Sequence, residues 1–309
     1  MFPLVVGILL APMFVQMLHR LKFGQEIRKE GPQSHLKKQG TPTMGGILFI
    51  VLLLAYALSF RIFSFSAAYI LASVLLFSAI GLADDLLKIR RKNSDGLSSK
   101  QKLALQVAVS VVLGIAATNF GTLVVFPFFR VVNAGIFYVP LLVFMYVSLT
   151  NAVNLTDGLD GLATTVTSVV VLLLAVIAYF SGSIDVFEMC VIMLASMLAF
   201  LVFNWHPAKM IMGDTGSFAL GGFVAAASVA LGVPLLIPIF GLLYVCEALS
   251  VMIQVAYYKR TKKRIFKMSP IHHHYELSGY SEVRIVLMFS GFTALCCVVG
   301  YFAWYMAVN

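Results

Sequence analysis

Five aspartates lie in short polar segments of a chain whose other stretches are strongly apolar. Asp84 and Asp85 are adjacent, Asp157 and Asp160 are three residues apart, and Asp214 lies further along. Carboxylates are ligands for Mg²⁺, which uses one or two of them and keeps other positions for phosphate oxygens. With Lys and His nearby, these groups indicate phosphoryl transfer, in which cations neutralise the transferred group and a carboxylate activates the nucleophile. Their place at a membrane surface suggests a lipid phosphate as one substrate.

The aspartate pair opens the sequence DDLLK, which ends with Lys88 and follows an apolar stretch. Adjacent residues of a helix point about 100° apart, so Asp84 and Asp85 are predicted to have different tasks. Asp84 and Lys88, four residues apart, are predicted to share one helix face. A polar helix end at a membrane interface is the alternative. Acids at a membrane edge are costly without a task, which favours a functional interpretation.

Residues 151–161, NAVNLTDGLDG, carry an amide or a carboxylate at every third position. Gly158 and Gly161 permit close approach of the backbone to a ligand. A plain connecting loop is the alternative, but it has no need of this order of polar groups. The pattern therefore predicts a ligand-binding segment whose polar members are Asn151, Asn154, Asp157 and Asp160.

Residues 204–217, NWHPAKMIMGDTGS, lead into another apolar stretch and permit two interpretations. Asp214, with Thr215 and Ser217, is suited to capping the first turn of a helix. Alternatively, Asp214 holds a divalent cation such as Mg²⁺. The residues alone leave both interpretations open.

Three consecutive histidines, His272 to His274, follow the basic run KRTKKRIFK. Consecutive side chains of a helix diverge, so we do not expect all three to bind a single metal ion. Histidine changes its charge near neutral pH, which favours a phosphate-binding or acid–base role. An ordinary inner loop is the alternative.

The segment KKQGTPTMGG, residues 37–46, combines two Lys, two hydroxyls and a Gly pair before an apolar stretch. This combination resembles an anion pocket at the start of a helix. Lysines at an inner membrane boundary are ordinary, so the segment alone is weak evidence.

The composition excludes an ordinary soluble domain. Hydrophobic residues make up 61% of the 309 residues and charged residues only 11%, whereas soluble domains carry roughly 25% charged residues. The net charge of +9 mainly reflects the excess of Lys and Arg that membrane proteins carry on their cytoplasmic side. We therefore expect a multi-pass membrane protein and no nucleic-acid partner.

The apolar stretches predict a single multi-pass transmembrane domain over residues 1–309. A span needs roughly 17–25 apolar residues, and segment 121–135, rich in β-formers and turn residues, is a candidate for a small outer β-hairpin. No basic residue precedes the first span, which places the N-terminus outside. The sequence predicts ten spans, at 2–18, 45–60, 67–83, 103–120, 136–150, 161–180, 186–203, 217–232, 235–257 and 283–307.

The charge distribution favours ten spans with both termini outside. In that arrangement the inner segments hold 20 of the 22 Lys and Arg residues, ten of the 13 acids and all six His. Gly232, Pro234 and Pro238 give stretch 217–257 a natural break into two spans. One span fewer would place the basic segment 258–284 outside, against the positive-inside rule. The polar segments are therefore predicted to form a cleft on the cytoplasmic face.

In these segments the chain resembles the polyprenyl-phosphate N-acetylhexosamine-1-phosphate transferase superfamily and, within it, the phospho-N-acetylmuramoyl-pentapeptide-transferase (MraY) family. The resemblance runs essentially end to end, through SHLKKQGTPTMGG, DDLLK, GLSSKQK, NAVNLTDGLDGLA, FNWHPAKMIMGDTGS and SPIHHHYE in that order. The TPTMGG and SPIHHHYE blocks separate this family from relatives that transfer N-acetylglucosamine phosphate.

The resemblance implies an all-α integral membrane protein with ten transmembrane helices, a cytoplasmic-facing cleft, a homodimer and dependence on Mg²⁺. It also implies a place in the bacterial plasma membrane, in contact with its lipid. Undecaprenyl phosphate would attack the β-phosphate of UDP-N-acetylmuramoyl-pentapeptide and give lipid I and UMP, the first membrane step of peptidoglycan synthesis. The resemblance leaves open whether transfer is direct or passes through a phospho-aspartate.

The resemblance assigns roles to individual residues. Asp214 is similar to the Mg²⁺ ligand, and Asp84, with Asp85 beside it, resembles the carboxylate that deprotonates the lipid phosphate. His273 is assigned a catalytic role with them. Positions that match the family's nucleoside pocket are Lys38, Thr43, Asn154, Asp157, Gly158, Leu159, Asp160 and Asn204. Positions that match the surroundings of the phosphates and the sugar-peptide are Lys88, Lys102, Gln254, His272, His273 and His274.

One position departs from the family pattern. Ile211 stands three residues before Asp214, where the family usually has a Phe that can stack on uracil. An apolar side chain can still pack against the base, but an aromatic contact worth about 1 kcal/mol is in question.

Two other functions fit parts of the sequence. A related enzyme would use UDP-N-acetylglucosamine as its donor. A transporter or lipid flippase would use acids as ion-coupling sites near the middle of the bilayer, often in broken helices. Glu247, inside the ninth predicted span, is the charged residue placed for this, although a locally paired acid within the helix bundle is the favoured interpretation.

Overall fold

The computed structural model describes residues 2–20, 40–60, 64–91 and 95–309, and these residues are mostly helical. Short 3₁₀ turns and one β-hairpin connect the helices. The α-helices of these ranges are α1 Phe2–Arg20, α2 Ile47–Ser59, α3 Phe65–Arg91, α4 Ser99–Ala117, α5 Tyr138–Thr156, α6 Leu162–Phe180, α7 Ile184–Asn204, α8 Gly213–Ala230, α9 Ile237–Phe240, α10 Leu242–Thr261, α11 Ile271–Glu276 and α12 Glu282–Val308.

The protein is a helical integral membrane protein, as its composition predicts. Seven helices are long and apolar enough to cross a membrane, namely α1, α3, α4, α5, α6, α7 and α12. The helices from Pro234 to Thr261 add an eighth crossing if they count as one span, although they are bent by 77° at Gly241. Every predicted span contains a helix, but α2 has only 13 residues and α8 is less apolar. The number ten therefore stays a prediction.

Helix α8 lies at the centre of the bundle. Residues 215–229 are all buried, and the helix packs against α3 and α5. It is rich in Gly, Ala and Ser, and small side chains let neighbouring helices approach closely. At Gly81 of α3, an added Cβ would overlap the backbone of Asp214 and Thr215. The end of α3 and the start of α8 are thus held together, and with them their aspartates.

The predicted β-hairpin is present at the other end of the bundle. Strands β1, Leu123–Phe126, and β2, Arg130–Asn133, pair antiparallel. The Val125 N–H donates to the Gly232 carbonyl at 2.7 Å, and the Phe128 N–H donates to the Ala303 carbonyl at 3.0 Å. These carbonyls lie just beyond α8 and near the end of α12, whereas Asp214 and Glu282 lie at the starts of the same two helices.

Candidate active site

Three aspartates form a carboxylate cluster, defined as Asp84, Asp85 and Asp214. One oxygen from each lies within 4.8 Å of the other two. The side chains of Asp84 and Asp85 are 0% and 4% exposed, whereas that of Asp214 is 16% exposed. The helix ends thus bring together carboxylates far apart in sequence, as predicted, and Asp214 is the most accessible of the three.

Two lysines bind the carboxylate cluster. The Lys88 Nζ lies 2.7 Å from Asp84 Oδ2 and 3.1 Å from Asp214 Oδ2. The Lys102 Nζ, from α4, lies 3.0 Å and 2.8 Å from the same two oxygens. The predicted pairing of Asp84 with Lys88 on one helix face is confirmed. Two cations against three carboxylates leave one negative charge in excess, which suits a site that takes up a further cation.

The adjacent aspartates have different partners, as predicted. Asp85 accepts hydrogen bonds from the N–H of Asp214 at 3.2 Å and from the N–H and hydroxyl of Thr215 at 2.9 and 2.7 Å. It therefore caps the first turn of α8, whose N–H groups have no partners within the helix. Asp84 instead accepts from the Leu97 N–H at 2.6 Å and faces the lysines.

This arrangement separates the two interpretations of Asp214. Met212, at the N-cap position of α8, makes no side-chain cap, and Asp85 from α3 supplies the cap. The Asp214 carboxylate is turned instead toward Lys88 and Lys102. Thr215, which sequence analysis treated as part of a local cap, bonds a residue of another helix.

Helix α5 contributes amides to the same site. The Asn154 Nδ2 donates to Asp214 Oδ1 at 3.0 Å and to the Ser217 hydroxyl at 2.9 Å. Three residues earlier in α5, the Asn151 Nδ2 donates to Gln106 Oε1 at 2.8 Å. Gln106 was not predicted from the sequence, because a single amide in the apolar run of α4 has no local pattern.

Residues 157–161, between α5 and α6, form a turn that Asn204 fastens to the following polar segment. Asn204 is buried, and its Oδ1 accepts from the Gly161 N–H at 3.2 Å and from the Thr164 hydroxyl at 2.9 Å. Its Nδ2 donates to the Met210 carbonyl at 3.1 Å. Leu159 of this turn is buried. Asp157 lies at the end of α5, three residues after Asn154.

Asp160 joins this turn to α12 and to the segment after α7. Its Oδ2 accepts from the Ala208 N–H at 3.0 Å and lies 3.0 Å from His206 Nδ1. Its N–H donates to Glu282 Oε2 at 3.2 Å. Neither His206 nor Glu282 was predicted from the sequence as a site residue. The position of His206 inside the NWHPAK motif was the available signal.

Two motif segments pair through their backbones. The Gly45 and Gly46 N–H groups donate to the carbonyls of Ile211 and Met212 at 2.8 and 3.0 Å, and the Ile211 N–H donates to the Pro42 carbonyl at 2.8 Å. An added Cβ on Gly213 would lie 2.9 Å from the Thr43 hydroxyl, so Thr43 adjoins the start of α8. Lys38, like Lys37, lies outside the described residues.

The three histidines point to three different partners, as predicted. His272 Nδ1 lies 3.1 Å from both oxygens of Glu247, and His273 Nδ1 lies 3.0 Å from Glu276 Oε2. His274 Nδ1 accepts from the Lys267 N–H at 3.2 Å. The favoured interpretation of Glu247 as a locally paired acid is confirmed.

Gln254 orders the basic segment that precedes the histidines. Its Oε1 accepts from the N–H groups of Ile265 and Phe266, both at 3.0 Å, and its Nε2 donates to the Phe266 carbonyl at 3.0 Å. The amide is thus bonded at both ends to the chain that leaves α10. In this arrangement Gln254 shapes the loop beside the histidines.

The donor chemistry of the carboxylate cluster fits a hard divalent cation. Both oxygens of Asp85 and one of Asp84 accept hydrogen bonds from neighbouring N–H or O–H groups. The remaining oxygens, on Asp84 and Asp214, bind lysine or amide side chains, which can exchange for other ligands. One or two carboxylates with open positions beside them is the arrangement that Mg²⁺ uses in phosphate chemistry.

Two family models match segments of the chain that contribute to this site. The pattern of glycosyl transferase family 4 matches residues 67–232, which contain the carboxylate cluster. Signature 1 of phospho-N-acetylmuramoyl-pentapeptide-transferase matches residues 38–50, which include Gly45 and Gly46, the partners of Ile211 and Met212.

Similarity to curated transferases extends along nearly the whole chain. The phospho-N-acetylmuramoyl-pentapeptide-transferase of Clostridium novyi (strain NT) is 46% identical over 303 residues, which cover 96% of this chain and 93% of the relative. Its counterpart from Clostridium beijerinckii is 47% identical over 311 residues, covering 97% and 95%. That of Clostridium perfringens (strain 13 / Type A) is 47% identical over 305 residues, covering 96% and 95%. The chain therefore belongs to glycosyl transferase family 4 and, within it, to the phospho-N-acetylmuramoyl-pentapeptide-transferase family.

Proposed function

We propose that the protein transfers phospho-N-acetylmuramoyl-pentapeptide from its UDP donor to undecaprenyl phosphate, giving lipid I and UMP. The observation that carries this proposal is the carboxylate cluster bound by Lys88 and Lys102 at one end of a helical membrane bundle. The carboxylates of this cluster provide a proton acceptor, and the lysines bound to them provide cations for phosphate oxygens.

The reaction exchanges one phosphoanhydride bond for another. An oxygen of the lipid phosphate forms a bond to the β-phosphorus of the donor, and the bond from that phosphorus to the bridging oxygen breaks. The electron pair leaves with UMP. This overall balance is the same whether the group moves directly or through an aspartyl phosphate.

The residues of the cluster divide this work. Asp84, whose Oδ2 contacts both lysines, accepts the proton of the lipid phosphate. Lys88 and Lys102 move from the carboxylates to phosphate oxygens and neutralise the charge that develops there. Asp85 holds the start of α8, so that Asp214 faces Lys88 and Lys102. His273, which is 8% exposed beside Glu276, adds a polar group at the sugar-phosphate side.

We propose that Asp214 is the ligand for Mg²⁺, since it is the most accessible carboxylate of the cluster. Bound Mg²⁺ would neutralise charge on the diphosphate of the donor. Lys88 and Lys102, which share Asp214 Oδ2, lie beside this ligand and can bind phosphate oxygens of the donor.

The membrane arrangement is part of this proposal. We propose ten crossings with both termini outside and the carboxylate cluster at the cytoplasmic face of the bacterial plasma membrane. We also propose a homodimer, which membership of the family implies. Exposed lysines and arginines between Lys259 and Lys267 support the cytoplasmic placement of this end, because positive residues favour the cytoplasmic side. They lie at the same end of the bundle as His274, which accepts a hydrogen bond from the Lys267 N–H.

A purified-protein assay tests the function. The protein in lipid–detergent micelles is given undecaprenyl phosphate and UDP-N-acetylmuramoyl-pentapeptide, and released UMP and lipid product are measured with Mg²⁺ or with a chelator. UDP-N-acetylglucosamine is the matched control donor. We expect UMP only with the pentapeptide donor and with Mg²⁺. UMP release from the control donor alone would assign the chain to the rival reaction, and full activity in chelator would remove the Mg²⁺ site.

A further inference from the structure

A carboxylate and an imidazole meet in the interior of the helix bundle, apart from the carboxylate cluster. The side chains of Glu247, in α10, and His272, in α11, are both 0% exposed. The Nδ1 of His272 lies 3.1 Å from both Glu247 oxygens. A buried carboxylate is costly unless it is paired, so this contact fixes the side chains of both residues.

The opposite edge of the same imidazole meets the turn of residues 157–161. An added Cβ on Gly158 would overlap His272 Nε2, so the ring lies directly against this glycine. The Nε2 atom is buried and has no hydrogen-bond partner among the described residues. The ring is therefore wedged between α10 and the turn, and it fits only because position 158 lacks a side chain.

The turn that the ring supports belongs to the site. Asn154, one helical turn before Gly158, bonds Asp214, and Asn204 bonds Gly161. A displacement of Gly158 would thus move the segment that carries Asp157 and Asp160. The position of His272 is set in turn by Glu247, since this carboxylate is the partner that holds the ring.

We propose that Glu247 is a positioning residue of the nucleoside pocket for the UDP donor. Glu247 acts through His272 to hold the 157–161 turn in place. This inference rests on the proposed function. Glu247 is expected to touch neither substrate, because it is fully buried behind His272. Its loss should therefore weaken binding of the UDP donor without removing the groups that perform the transfer.

The test is a comparison of steady-state constants for the wild type and the E247Q variant, with E188Q as the matched control. Glu188 is an exposed glutamate of α7 that undergoes the same chemical change. We expect E247Q to raise KM for the UDP donor about tenfold, because a buried imidazole loses its charged partner. The value of kcat and the KM for undecaprenyl phosphate should stay within about twofold, as expected when only binding is weakened. E188Q should match the wild type.

Two further variants separate positioning from a merely structural role. G158A inserts a methyl group where the ring lies and should give the same selective rise in donor KM, even if E247Q does not fold. In an H272A background, E247Q should add no further rise, since both changes act through one ring. An unchanged donor KM in G158A, additive effects in the double variant, or an equal loss of kcat would overturn the inference. A wild type that releases no UMP would remove the proposed function and this inference with it.

Discussion

At the scale of single residues, two adjacent aspartates divide chemistry from architecture. Asp84 shares its Oδ2 between Lys88 and Lys102, whereas Asp85 has both oxygens bound to the start of α8. Because Asp214 lies in that first turn, Asp85 also determines where the Asp214 side chain points. The adjacent aspartates of α3 thus connect the lysines, through Asp84, with the first turn of α8, through Asp85.

Removing either charge that faces the lysines should nearly abolish turnover. We expect D84N and D214N each to lower kcat by about 10²–10³-fold, the usual effect of deleting one preorganised electrostatic group. If Asp214 is the Mg²⁺ ligand as we propose, D214N should also bind Mg²⁺ more weakly. UMP release under saturating donor and lipid phosphate measures the effect.

D185N is the control for this pair of variants. Asp185 lies in the first turn of α7, at the end of the bundle away from the cluster. We expect it to keep the wild-type rate, and the thermal midpoints of all three variants to agree closely with that of the wild type. Near-normal turnover in both D84N and D214N would contradict the assignment of the cluster.

Local spacing predicted some of these contacts but not others. The Asp84–Lys88 pair follows from the four-residue repeat of a helix face. The bond of Asp85 to Thr215 joins residues 130 positions apart, so no local pattern contains it. The same holds for Glu247, whose pairing was expected but whose partner, His272, lies beyond the basic loop.

At the scale of the helices, α8 is the element on which the site is built. It packs against α3 and α5, both of which contribute polar residues to its first turns. Because α8 faces protein instead of lipid, it can carry many small residues, and these lower its mean hydropathy. This is why hydropathy identified α8 less clearly than the outer helices, although a span at 217–232 was predicted from its length and its flanking break.

A methyl group on the contact between α3 and α8 should disturb both stability and activity. G81A would place a Cβ against the backbone of Asp214 and Thr215. The overpacking should cost about 1–3 kcal/mol and shift Asp214. We expect a lower thermal midpoint and reduced UMP release, measured on the same purified sample.

The matched control is G291A, which makes the same change in α12. Nothing lies within 4 Å of a Cβ at Gly291. Alanine favours a helix over glycine by roughly 1 kcal/mol, so this variant should be as stable as the wild type or more so. Equal behaviour of G81A and G291A would show that the close approach of α3 to α8 does not matter.

At the scale of the whole molecule, the two ends of the bundle are chemically distinct. The carboxylate cluster, the 157–161 turn and the histidines lie at one end, and the β-hairpin lies at the other. The charge distribution predicted this separation, since spans that alternate in direction bring every second connection to one side. It did not predict the 77° bend between α9 and α10, because Gly232, Pro234 and Pro238 indicated only a break between two spans.

The proposed orientation makes the two ends distinguishable in intact cells. R130C places a thiol on the hairpin, and K263C places one in the basic loop after α10, both at exposed positions. The wild type is the control, because three of its four cysteines are buried and the fourth is only partly exposed. A membrane-impermeant maleimide should label R130C in intact cells and K263C only after the membrane is opened. The positive-inside rule places the cations around Lys263 in the cytoplasm, and the carboxylate cluster shares that end. Labelling of K263C in intact cells would place the site on the outer face and would contradict the proposed arrangement of ten crossings.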